Sequence, residues 1–324
     1  MSIALRRACG LALLSWLCAC ASAAIAQTYP AKPIRLIVPL APGGGVDTTG
    51  RLIGQKLTDA WGQPVVIENR PGGGGTIATE MAARAMPDGY TLVIVSSAHA
   101  ITPSLYKLSY DAVGDFKPIT LVVLAPFVLV AHPSLPVRSV KELIALAKAR
   151  PNQLLWASSG NGSPGHLAME LLKMMTGVQI VHVPYKGTAP GITDLIGGRV
   201  SVNSATVVST MPHVSAGRLR ALAVLSGKRS QAAPQLPTVA EAGVPGYEID
   251  VWYGIMAPAK TPKEIIAKLH DETARILAQP EVKERMLAIG LEPVGSPPGR
   301  FAEYLRAEVA KWAKVIRVAG IRID

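Results

Sequence analysis

Glycines, rather than catalytic side chains, are the residues of this sequence best placed to do chemistry. Pro39-Leu40-Ala41-Pro42-Gly43-Gly44-Gly45-Val46-Asp47 follows a short apolar run and opens into a helical pattern through Arg51, Leu52 and Leu57. A glycine run lets consecutive backbone N–H groups turn to one side, and the helix N-terminus behind it adds partial positive charge. Such a loop can hold a carboxylate or phosphate with no basic side chain. The blander reading is a tight turn whose glycines only satisfy positive φ, but the order strand, glycine loop, helix favours the cradle. Asp47 complicates it, because a carboxylate facing an anionic ligand repels it. Asp47 therefore either caps its own helix or meets a ligand amine.

Glu68-Asn69-Arg70-Pro71-Gly72-Gly73-Gly74-Gly75-Thr76 repeats the same grammar after the next strand. Two glycine loops at neighbouring strand ends line one crevice, which adds Gly74, and Ser96 at the end of the third strand, to the candidate ligand-binding residues. Arg70 either meets an anion or bridges to Glu68.

A third loop, Ser158-Ser159-Gly160-Asn161-Gly162-Ser163-Pro164-Gly165-His166, contains a literal G-x-G-x-x-G between a strand and a helix. A dinucleotide site also needs an acid at the end of the next strand, and that strand runs into Pro184-Tyr185-Lys186-Gly187 instead. The loop reads better as another anion-friendly helix start, with Ser163 capping and Pro164 at the first helical position. It also nearly matches a G-x-S-x-G nucleophile elbow, but Asn161 occupies the first glycine position. Tyr185 and Lys186 could lean on a ligand or simply form a surface turn. The six histidines (His99, His132, His166, His182, His213, His270) include no pair at i, i+4 and no H-E-x-x-H context, so metal catalysis has no support. No carboxylate pair stands out, and Glu170 and Asp194 read as helix-surface residues. Neither a cofactor nor a metal is expected, and nothing compels an enzyme.

The elements that must position these loops are short and regular. Strands are expected at Ile34–Pro39, Val65–Glu68, Thr91–Ser96, Leu154–Ser158, Ile180–Val183, Arg199–Asn203 and Leu219–Leu225, alternating with helices, the pattern of largely parallel α/β sheets. Ser139-Val140-Lys141-Glu142 and Thr261-Pro262-Lys263-Glu264 read as capping boxes. Phe301, Leu305, Val309, Trp312 and Ile316 recur at helical spacing until Gly320 stops the pattern. Two long extended stretches, Phe116–His132 and Tyr247–Pro258, do not fit simple alternation. If both run between two lobes, the chain crosses twice and a hinged cleft results.

Composition bounds the rest. At 324 residues, 49% hydrophobic and 17% charged, with mean hydropathy +0.30, the chain can bury a substantial core. It is no disulfide scaffold, collagen or coiled coil. Arg6 and Arg7, the apolar run from Ala8 and Ala24-Ile25-Ala26 read as an export signal spanning residues 1–26. Cys9, Cys18 and Cys20 all lie inside it, so cleavage leaves no cysteine and no thiol chemistry. Leu17-Cys18-Ala19-Cys20 loosely resembles a lipobox, the rival that would anchor Cys20 to lipid. The net charge of +11 hints at anionic partners, but its basic residues are scattered and make no nucleic-acid platform.

Taken in order, these stretches resemble the solute-binding receptors of tripartite tricarboxylate transporters, the Bug family of bacterial extracytoplasmic binding proteins. The matching residues are Val38–Asp47 with Arg51, Glu68–Gly72, Pro103-Ser104-Leu105-Tyr106, Ala157–Ser163 with His166-Leu167-Ala168, Val183–Gly187, Arg220–Val224 and Trp252-Tyr253-Gly254. The resemblance implies a two-lobed α/β fold of the type II periplasmic-binding-protein kind, closing around a small organic carboxylate held largely by backbone N–H groups and bridging waters. By position, Ala41, Pro42, Gly43, Gly44, Gly45, Val46 and Asp47 would hold the ligand from lobe one, and Ser158, Ser159, His166, Tyr185 and Lys186 would face it from lobe two. Relatives often carry Phe-Asp where this chain has Ser204-Ala205, followed by Thr206, so this wall is expected to be smaller and uncharged. Lobe one is expected to comprise 27–125 plus 251–324 and lobe two 126–250. The expected protein is a periplasmic monomer serving the membrane components of a transporter. A hydrolase or isomerase using Ser159 or His166, and a module presenting ligand to a membrane sensor, are the alternatives.

Overall fold

The computed structural model describes residues 29–40, 42–185 and 187–322. The export segment with its three cysteines, Ala41 and Lys186 lie outside the described residues.

Eleven strands and ten α-helices alternate along the described residues. β1 (Ile34–Val38), β2 (Val65–Asn69), β3 (Thr91–Ser96), β4 (Phe116–Leu124), β10 (Trp252–Pro258) and β11 (Glu292–Pro293) make one sheet, ordered β11-β4-β10-β3-β1-β2. β5 (Phe127–Ala131), β6 (Leu155–Ser158), β7 (Val181–Pro184), β8 (Val202–Thr206) and β9 (Arg220–Val224) make the other, ordered β7-β6-β8-β5-β9. The helices are α1 (Gly45–Trp61), α2 (Thr76–Ala83), α3 (Ala98–Ile101), α4 (Val140–Ala149), α5 (Pro164–Thr176), α6 (Thr188–Ile196), α7 (Val207–Ser215), α8 (Lys263–Leu277), α9 (Pro280–Ala288) and α10 (Pro298–Ala319). β1 runs parallel to β2 and β3, and β6 runs parallel to β7 and β8. β10 and β5 are the antiparallel members. A parallel strand leaves its helix-bearing loop at its C-terminal edge, so both sheets gather their loops on one side.

The two irregular stretches account for the two-lobed form. Phe116–His132 divides at Ala125-Pro126 into β4 of one sheet and β5 of the other. The return passage ends in β10, and the crossings touch: Ala125 N–H donates to the Val251 carbonyl at 2.6 Å. α10 closes the first sheet with Phe301, Leu305, Trp312 and Ile316 buried, and Gly320 ends it in the left-handed conformation (φ 65°). Trp252 and Trp312 both donate their indole N–H to the buried Glu308 carboxylate, at 3.4 and 3.0 Å, so these large side chains sink with their polar atoms satisfied.

Local signals hold with two exceptions. Ser139 and Ser163 accept from the N–H groups of Glu142 and His166, at 3.2 and 3.3 Å, as their caps require. Thr261 does not cap: α8 starts at Lys263 behind Pro262, and the Thr261 hydroxyl is buried without a partner among the described residues. The strand expected at Arg199–Asn203 begins later, at Val202. Gly198 (φ 69°) turns the chain, and Arg199 is tied back to Asp194 through its N–H and guanidinium.

Candidate functional site

A cavity of about 880 Å³ opens between the sheets, where the strand-end loops of both converge. Its lining includes no Asp, Glu, Lys, Arg or His among the described residues. Helix starts line it instead: Gly44, Gly45 and Val46 of α1, Ser97 and Ala98 of α3, Ser163 and Pro164 of α5, Thr188 and Ala189 of α6, and Thr206, Val208 and Ser209 of α7. Each helix presents unsatisfied N–H groups at its N-terminus. Among the described residues, none accepts from the N–H of Gly44, Gly45 or Val46. Leu40, Ile101, Leu105, Phe127, Val251, Ile289 and Leu291 give the wall its apolar part, and Thr48, Ser96, Thr102, Tyr106, Ser159, Asn161 and Tyr253 its uncharged polar part.

Of the residues singled out in the sequence, Gly43, Gly44, Gly45, Val46, Gly74, Ser96, Ser159 and Thr206 line this cavity. Asp47, Ser158, His166, Tyr185, Gly187, Ser204 and Ala205 are not in the lining. Pro42 does not reach the lining. Asp47 is buried, and its two carboxylate oxygens are taken by its own loop: Oδ2 accepts from Gly43 N–H and Arg51 Nε, and Oδ1 from Asn69 Nδ2, all at 2.9 Å. Burial alone would raise its pKa, yet the hydrogen bonds from Arg51, Gly43 and Asn69 hold it below the usual carboxylate value. Asn69 also donates to the Leu40 carbonyl, so the end of β2 staples the first glycine loop. Asp47 therefore shapes the cradle and presents no oxygen to a ligand amine. Arg70 pairs with Glu68, which Arg35 also holds.

In the second lobe, Tyr185 turns its hydroxyl to Asp194 at 2.7 Å, and Gly187 caps α6 with its N–H on the Ser159 carbonyl. Ser204 and Ala205 lie inside β8 against Leu129 and Val128, where Ala205 joins a buried apolar cluster. The wall nearest them is made by Thr206, Val208 and Ser209, one to five residues further on.

His166 and His182 form the most ordered polar feature behind the loops. Their rings stack 3.8 Å apart, nearly parallel. His166 Nδ1 accepts from Gly162 N–H at 3.1 Å, which places its proton on Nε2, and Ser158 Oγ lies 2.6 Å from His182 Nε2. The pair thus braces the 159–163 loop from below. Ser159 and His166 share no hydrogen bond, so no nucleophile and base meet there. Glu170, expected on the surface, is buried between His166 and Lys173.

Burial drives both imidazoles down to about 4, with Lys173 adding to it and Glu170 opposing it at His182. An unfolded histidine takes its proton near 6.5. Folding therefore excludes these protons between about pH 6.5 and 4. Stability from the pair is full above that window and falls as the pH drops through it, by at most about 1.4 kcal/mol per pH unit per histidine. Thermal midpoints measured from pH 7 to 4 should decline over this range, and His182→Gln should flatten the slope; an unchanged slope would mean that neither ring resists protonation.

Sequence reasoning missed Thr48, Ser97, Tyr106, Ser209 and Tyr253 as cavity residues. The Trp252-Tyr253-Gly254 stretch was legible as part of a crossing strand and of the family resemblance but not as a site, since one tyrosine on an apolar strand carries no spacing signal.

Residues 50–321 match the family model described as tripartite tricarboxylate transporter family receptor (TctC). Protein BugT of Bordetella pertussis is 38% identical over 301 residues, covering 92% of each chain. Among solved structures, Rpa4515 of R. palustris with adipate is 40% identical with a TM-score of 0.80, covering 91% of this chain and all of that one. MatC from Rhodopseudomonas palustris with bound malate is 32% identical with a TM-score of 0.76, covering 89% of this chain and all of that one.

Proposed function

Because the chain belongs to the tripartite tricarboxylate transporter receptor family, a family of solute-binding receptors rather than enzymes, we propose that it captures a small organic carboxylate by hinge closure and delivers it to the membrane components of a transporter. The observation that carries this reading is a cavity with no charged side chain among the described residues, into which the N-termini of α1, α5, α6 and α7 open. Such a site holds an anion by oriented backbone dipoles and releases it without breaking a buried ion pair. Its apolar wall fits the hydrocarbon body of the same ligand, and relatives carry adipate and malate.

Closure follows from the crossings. We take 27–125 plus 251–324 as one lobe and 126–250 as the other, pivoting where Ala125 meets Val251. No helix among the described residues is long and apolar enough to cross a membrane. We place the receptor in the periplasm as a monomer, after removal of residues 1–26.

Residues 27–324, unfolded and refolded to strip carried ligand, should show a thermal shift with one class among dicarboxylates, tricarboxylates, aromatic acids and acidic amino acids. At 100 times its dissociation constant the ligand adds about 2.7 kcal/mol to stability. It should be recovered unchanged. No shift with any carboxylate, or conversion of the one that binds, would overturn the proposal.

A further inference from the structure

β3 and β10 deliver two hydroxyl groups to the first glycine loop. In their antiparallel ladder Tyr253 pairs with Ser96, and Ser97 N–H donates to the Trp252 carbonyl at 3.0 Å. Both Ser97 and Tyr253 line the cavity. The phenol overlooks the first turn of α1 closely: a Cβ built on Gly45 would lie 2.6 Å from Tyr253 Oη.

Neither hydroxyl has a partner among the described residues. Ser97 is 1% exposed with its Oγ buried and unpaired, and Tyr253, at the cavity surface, makes no hydrogen bond through Oη to any of them. Leaving a buried polar group unsatisfied costs about 1–3 kcal/mol, so folded proteins seldom do it. The buried, unpaired Ser97 hydroxyl and the Tyr253 hydroxyl at the cavity, beside three amides with no acceptor among the described residues, call for an acceptor from outside the chain. Burial pushes the phenol up to about 12, so it keeps its proton wherever a carboxylate is ionised.

We propose that Tyr253, seconded by Ser97, is the side-chain donor that fits this site to a carboxylate, its O–H joining the N–H groups of Gly44, Gly45 and Val46 around the ligand oxygens. This rests on the receptor reading above and deepens it. With no cation among the described residues of the wall, the negative charge is met there by neutral donors. A hydrogen bond to a charged group is roughly twice as strong as one between neutral groups, so the phenol contributes more here than in an ordinary contact.

Calorimetric titration with adipate, malate and benzoate separates the possibilities. For whichever acid wild type binds, Tyr253→Phe keeps the ring and its packing but should weaken affinity roughly 10- to 100-fold, and Ser97→Ala roughly 3- to 10-fold. The unliganded midpoint of Tyr253→Phe should stay within a few degrees of wild type. Wild-type affinity in Tyr253→Phe, or an affinity loss matched by a collapsed unliganded midpoint, would reduce the phenol to a packing role and overturn the inference while leaving the receptor reading intact. Failure of the wild-type chain to bind any of these acids, or any other carboxylate, would instead remove the receptor reading, and this inference with it.

Discussion

Replacing Gly45 with valine should lower carboxylate affinity at least about 100-fold, equivalent to roughly 2.7 kcal/mol, while the unliganded protein stays folded. The reason is geometric. Gly45 is the first residue of α1, and any Cβ there meets Tyr253 Oη at 2.6 Å and the phenol ring at 3.2 Å. The backbone of Tyr253 is fixed by its pairing with Ser96 of β3 and Val123 of β4, so relief could come only from turning the phenol away from α1. A branched side chain therefore fills the space in front of the α1 amides, where a ligand's oxygens must sit. Gly43, two residues earlier, supplies the control. It has φ 88° but nothing within 4 Å of a Cβ, so Gly43→Ala strains the backbone at a cost of about 1 kcal/mol and blocks nothing. Calorimetry on both variants tests the contrast. Equal affinities for Gly45→Val and wild type would move the anion away from α1.

Much of this site could be read from residue order, and what could not has a physical cause. Backbone chemistry is legible because glycine runs between a strand and a helix have few other uses: Gly43 to Val46, Gly74 and Ser159 all line the cavity. Side-chain roles were less legible. Asp47 looked like a cap or an amine ligand, yet its partners Gly43, Arg51 and Asn69 include one from the next strand, which only the β1–β2 register brings near. The resemblance implies that His166 faces the ligand, but its ring turns inward onto His182, sixteen residues away on β7. Tyr253 stood out as part of the Trp252-Tyr253-Gly254 match but carried no signal of a site role, because Gly45, which it overlooks, lies more than two hundred residues earlier. Of the fold, the two long apolar stretches at Phe116–His132 and Tyr247–Pro258 gave away the double crossing, since no single buried strand needs that length.

One residue beyond Tyr253, substitution should damage the fold instead of the site. Gly254 lies in β10, between β3 and β4, and its α-carbon faces the ring of Phe301, which is fully buried in α10. A Cβ there would stand 2.6 Å from Phe301 Cε1 and 3.1 Å from Cε2, far inside contact distance. The ring has nowhere to go, being packed edge-on against Trp252 at 5.5 Å. Relief then requires α10 to lift from the sheet, which exposes Trp312 and Leu305 and strains the Glu308 bonds to both indoles. Gly254→Ala should cost about 3 kcal/mol of stability, the upper end for overpacking a core, and so lower the thermal midpoint by roughly 6–12 °C in a chain of this size. Phe301→Leu in the same chain should recover part of the loss, because the two residues share one space and their effects cannot add. Strict additivity would show that the glycine is needed for something other than the ring. Ligand affinity of the folded Gly254→Ala protein should remain within a few-fold of wild type, in contrast to Gly45→Val. That contrast follows from which side of β10 each clash falls on: the Gly45 contact lies on the cavity side, through Tyr253, and the Gly254 contact on the core side, through Phe301.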